Sequence, residues 1–115
     1  MARVSLETIA LGRSGDKGDA SNVGIIARSD AAYVWLREHM TARLVASMIP
    51  AIAVGRVERF EVPNLRALNF ILHGSLGGGG TASLLTDAQG KSHAQALLRC
   101  QLDIPDEVVA SVVDP

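Results

Sequence analysis

"VERFEVPNLRALNFIL", residues 57–72, decides the fold. Val57, Arg59 and Glu61 alternate with Glu58, Phe60 and Val62, and a repeat of two is the mark of a strand with two unlike faces. Pro63-Asn64 is a turn signal, because proline presets φ and asparagine accepts tight backbone. Residues 67–72 (ALNFIL) supply a second strand, so the stretch reads as a hairpin.

Upstream of it, Asp30 is a candidate N-cap for a helix over 31–40, with Trp35, Leu36, His39 and Met40 on one side. Thr41 caps a second helix over 42–49, directing Leu44, Val45 and Met48 inward; Pro50 stops it and Gly55 marks the way out. Further upstream, residues 4–10 read as a strand and VGIIA (23–27) as a short buried one. Between them lies GRSGDKGDASN (12–22), glycine-rich and polar, which reads as a loop. Downstream, residues 81–98 read as a helix interrupted near Gly90, and 99–104 as a last strand stopped by Pro105. The order is β, loop, β, αα, β, β, α, β. Without its first strand this is βαββαβ, the ferredoxin-like arrangement. The expected class is therefore α+β: a ferredoxin-like sandwich with an extra N-terminal strand, a mostly antiparallel sheet and helices on one face.

The chain of 115 residues has room for one domain. Hydrophobic residues make up 48% and charged residues 20%, enough apolar surface to fold. No apolar run reaches the ~20 residues of a membrane helix, and the N-terminus lacks a signal-peptide layout, so the sequence reads as cytoplasmic with no membrane partner. Net charge is −1 and aromatics are 3%, which argues against a nucleic-acid partner. The single cysteine, Cys100, excludes an internal disulfide or cysteine metal cluster and reads as a buried structural thiol.

Eight of the eleven glycines fall in residues 12–18 and 74–80. The second group, in LHGSLGGGGT (72–81), separates a strand from a helix start, where free backbone N–H groups can hold a phosphate or carboxylate. Gly77, Gly78, Gly79, Gly80 and Thr81 are its candidate ligand-binding residues. Gly74, Gly79 and Thr81 match a phosphate-binding loop, but Gly80 stands where its lysine is needed, which removes nucleotide hydrolysis. Gly77, Gly79 and Ala82 mimic a dinucleotide fingerprint, without room for the rest of that fold. In the first group, Arg13, Ser14 and Lys17 are candidate ligand contacts. Asp16, Lys17 and His73 are candidate acid–base residues, against the plainer reading of a solvated turn and a structural histidine. No metal-ligating spacing occurs and no cofactor is implied. In a ferredoxin-like sheet the two glycine-rich segments are expected at opposite ends, leaving a shared centre to oligomerisation or loop folding.

RSGDKG (13–18), NVGIIAR (22–28), WLRE (35–38), residues 57–74 and SLGGGGT (75–81) together resemble the small ferredoxin-fold domain of proteins similar to acyclic terpene utilisation protein A, AtuA. The resemblance implies one AtuA-like domain over residues 1–115, a larger AtuA-type partner and a place in breakdown of acyclic terpenoids through acyl-CoA thioesters. It carries no catalytic residues. Three functions stay open: an accessory subunit binding a small anionic ligand, with an acyl-CoA as its most specific form; a small enzyme using Asp16, Lys17 or His73; and a structural module whose apolar open face is buried in a homo-oligomer.

Overall fold

The computed structural model describes residues 2–17, 20–50, 52–74 and 93–112, with the side chains of residues 16 and 17 excepted. Its strands are β1 (Ala2–Ser5), β2 (Ala10–Lys17), β3 (Ala20–Ala27), β4 (Val57–Val62), β5 (Ala67–Leu72) and β6 (Gln101–Ile104). Its helices are α1 (Asp30–His39), α2 (Ala42–Met48), α3 (His93–Arg99) and α4 (Asp106–Ala110). Four strands form a wholly antiparallel sheet in the order β2-β3-β5-β4, and β1 pairs with β6 in a separate two-stranded ribbon.

The hairpin over residues 57–72 forms as its pattern requires. Val62 pairs with Ala67 around a 3₁₀ turn over Pro63–Leu65, and Arg66 closes the turn in the left-handed region at φ 51°. Both helix caps are side-chain oxygens accepting the N–H three residues on, the usual N-cap bond. Thr41 Oγ1 accepts from Leu44 N at 3.0 Å. For α1 the cap is Ser29 rather than Asp30: Ser29 Oγ accepts from Ala32 N at 3.0 Å. Asp30 instead opens the helix, where its charge suits the dipole, and meets Arg66 at 3.3 Å.

The N-terminal third departs from the sequence reading. Residues 4–10 are not one strand: the chain turns in a 3₁₀ segment over Leu6–Thr8, with Leu6 fully buried and its N–H on Cys100 O at 2.9 Å. GRSGDKGDASN is not a loop. Its two arms lie in β2 and β3, paired without interruption from Ala10↔Ala27 to Lys17↔Ala20. Polar residues and glycines are admitted because one face of this hairpin is open to solvent. In a plain βαββαβ sheet the last strand would flank the first. Here β2 takes that edge and β6 leaves to pair with β1. Helix α3 lies close over β2, where a side chain on Gly12 would stand 3.0 Å from Leu98 Cδ1 and 3.3 Å from Ala94 Cβ.

One face of the sheet carries the core. Val23 and Ile25 of β3, Leu68, Phe70 and Leu72 of β5, Leu36 and Met40 from α1 and its end, and Leu97 of α3 are all almost fully buried. Arg59 of β4 points to this side. Its Nε donates to Met40 O at 2.8 Å and its Nη2 to Arg37 O at 2.6 Å. A cation thus satisfies the last carbonyls of α1, which the helix leaves without internal donors. Cys100 is half-buried, 3.4 Å from both Met48 O and Ala96 O, and burial pushes its thiol pKa up, as suits a structural thiol. No described helix is long and apolar enough to cross a membrane.

Candidate functional site

The opposite face of the sheet is uncovered by any described helix, and its residues follow from the register. Leu11, Ile26, Ala67 and Val62 form one row across β2, β3, β5 and β4. Arg13, Gly24, Asn69 and Phe60 form the next, and Gly15, Asn22, Ile71 and Glu58 the third. Rows two residues apart are ~7 Å from one another and neighbouring strands ~5 Å. The face is therefore graded along the strands, apolar at the first row and polar at the third.

A groove of about 380 Å³ opens over the middle of this face, with Leu65 of the hairpin turn at its apolar end. Its floor is bare. Nothing lies within 4 Å of where a side chain on Gly15 would stand, and one on Gly24 would meet only Asn69 Oδ1 at 3.7 Å and Arg13 O at 3.9 Å. Neither glycine is required by a crowded neighbour or a positive φ, and glycine weakens a strand. The space itself is what they provide. Phe60 and Leu65 are 47% and 63% exposed along the groove, and Leu11 on the same face is 51% exposed. Three of the five exposed large apolar residues among those described thus share this face. Arg13, Asn22 and Asn69 also line it, and none of the three side chains pairs with a described residue.

At the polar end of the face stands a charged cluster. His73 follows β5 directly, and its Nε2 is 2.5 Å from Glu58 Oε1. A carboxylate only accepts, so Nε2 carries the proton and Nδ1 is the imidazole's free acceptor when the ring is neutral. Arg56 Nη2 reaches the same Glu58 oxygen at 3.2 Å. The His73 hydrogen bond first, then the Arg56 charge, holds the Glu58 carboxyl below the usual carboxylate range, partly opposed by desolvation. His73 and Glu58 are each about one-third exposed, at 37% and 36%.

The sequence candidates are placed as follows. Arg13 lines the groove. Ser14 also borders the groove, but its Oγ turns to the helix side, where it accepts from Ala94 N at 3.2 Å. On the same side, buried Ser21 Oγ is 2.8 Å from His93 Nδ1, so the serines of the hairpin anchor α3. Asp16 and Lys17 end β2; their side chains lie outside the described set, as do Gly77, Gly78, Gly79, Gly80 and Thr81. Asp16 pairs with Ser21, which pairs with Leu72. The end of β2 and the exit of β5 therefore share one end of the sheet, one strand and ~10 Å apart. The expectation of opposite ends rested on parallel neighbours, and the antiparallel pairing overturns it. Asn22, Asn69, Phe60 and Glu58 lie in stretches that carry the family resemblance but were not joined into one anion site, because nothing local marks the sheet face they share; Arg56 lies outside those stretches. Aligning the strands by their alternation would have put the first four on one face.

A family model agrees with this architecture over most of the chain: the AtuA ferredoxin-like domain matches residues 4–103. No curated protein and no solved structure matches the chain.

Proposed function

The chain belongs to the AtuA ferredoxin-like domain family, and from that premise we propose that it is a small accessory subunit that binds an organic anion on the open face of its sheet. The observation that carries this reading is the row Arg13–Gly24–Asn69–Phe60: a cation and an amide with no side-chain partner among the described residues, a bare floor and an exposed aromatic ring in one line. An apolar concavity with a few convergent polar groups is the usual form of a small-molecule site. In this reading the subunit works beside a larger AtuA-type protein, in a route that handles acyclic terpenoids as acyl-CoA thioesters; the family resemblance suggests that part, and the groove does not bear on it. Calorimetric titration with free CoA, an acyl-CoA series and free carboxylates tests the binding reading. Heat with at least one anion, alone or with the larger partner present, is expected. Silence toward all of them in both settings refutes it.

A second reading rests on the His73–Glu58 pair. A carboxylate that fixes one imidazole nitrogen and leaves the other free is the arrangement of a general base. If the subunit turns over a ligand itself, His73→Gln removes turnover and leaves binding intact.

A further inference from the structure

Resting on the binding reading above, we infer that the groove takes a monoanionic amphipathic acid of medium chain length, its carboxylate on Arg13 and its tail over the apolar row, and does not take the nucleotide end of a thioester. Three observations point the same way. The first is charge. Among the described residues Arg13 is the only cationic side chain lining the groove, and none of them forms an ion pair with it. One guanidinium matches one carboxylate, bidentately if geometry allows. The several phosphate charges of a nucleotide would go uncompensated there.

The second is polarity along the strands. The carboxylate lies at the row of Arg13 and Asn69, with the Asn22 amide one row on. In the other direction the face offers Ile26 and Val62, then Leu65 at the turn. Only a ligand with one polar end and an apolar body satisfies both halves; a small polar anion would leave Phe60 and Leu65 exposed. The third is size. About 380 Å³ displaces roughly a dozen waters at ~30 Å³ each. That accommodates an acid of about eight to ten carbons lying flat over Gly15 and Gly24.

The test is calorimetry on the full chain with octanoate, decanoate, octanol, octanoyl-CoA and free CoA. Octanoate and decanoate should bind and octanol should not. Arg13→Gln should weaken octanoate by roughly tenfold or more, the usual scale for a charge-assisted contact. Gly24→Val, whose melting is checked separately, should abolish binding by filling the floor. Binding of octanoyl-CoA without octanoate overturns this inference and leaves the accessory-subunit reading standing. Equal binding of octanol and octanoate also overturns it. Silence toward every anion overturns both. A dimer in sedimentation that Gly24→Val dissociates, without heat from any acid, overturns it in favour of a second copy on this face.

Discussion

Two glycines in this chain should respond to alanine with opposite signs. At Gly55, between α2 and β4, an added Cβ would stand 2.4 Å from His73 O and 3.2 Å from His73 C. Ordinary carbon–oxygen contacts begin near 3.3 Å. One backbone must therefore retreat by about 0.9 Å, and neither is the flexible end of a side chain. Overpacking of this kind costs about 1–3 kcal/mol. With an unfolding entropy near 2.1 cal/mol/K per residue over 115 residues, that lowers Tm by about 4–12 °C. At Gly15 the added methyl meets nothing within 4 Å, and the backbone is extended strand. There alanine should stabilise by about 0.4–1 kcal/mol through the unfolded chain, or about +2–4 °C. Differential scanning calorimetry of the two variants reads both signs. The backbone amide of His73 should also shift in Gly55→Ala, because its N–H bonds to Arg56 O at 2.9 Å next to the clash. A Gly55→Ala melt equal to wild type would refute the close approach. A Gly15→Ala melt well below wild type would refute the bare floor on which the binding site depends.

Other outcomes follow from single contacts. Arg59→Ala should cost about 2 kcal/mol or more in urea denaturation, since hydrogen bonds to a charged group contribute about 1.5–3 kcal/mol each and two helix-end carbonyls lose their donor. Phe70→Ala, at a fully buried position in a central strand, should cost about 3–5 kcal/mol. The Glu58 carboxyl, followed by NMR, should titrate below the ordinary glutamate range and move upward in His73→Gln. A folded-state pKa below the unfolded one stabilises above the unfolded value, and that contribution is lost as pH falls through the lowered folded pKa. Glu58→Gln should therefore flatten the acid side of the stability profile.

The legible parts of this fold were those where one physical signal acted alone. Alternation over residues 57–62 and a proline turn fixed the central hairpin without tertiary help. Thr41 could be read as a cap because a hydroxyl preceding an apolar periodic run has few other uses. GRSGDKGDASN was misread because glycine and charge ordinarily break strands. The property that admits them, an uncovered face, belongs to the sheet and not to the segment. The displacement of β6 had no local signal at all, since strand order is decided by which edge a remote segment reaches first. The candidate site was half visible for the same reason: Arg13 stood in a recognisable motif, whereas Asn69, Phe60 and Gly24 gain meaning only when paired in register.

The ribbon of β1 and β6 has a kinetic side. Both hairpins of the sheet close over a few residues, but Ala2 finds Ile104 across roughly a hundred. Loop-closure entropy grows only as (3/2)RT ln n, about 0.6 kcal/mol per doubling, so the ribbon is affordable at equilibrium. Its distance in sequence still makes it a late event, because non-local pairs wait on everything between them. During synthesis β1 must remain unpaired until β6 has emerged, so among the described strands residues 2–5 wait longest for their partner and are the longest exposed to pairing with other chains.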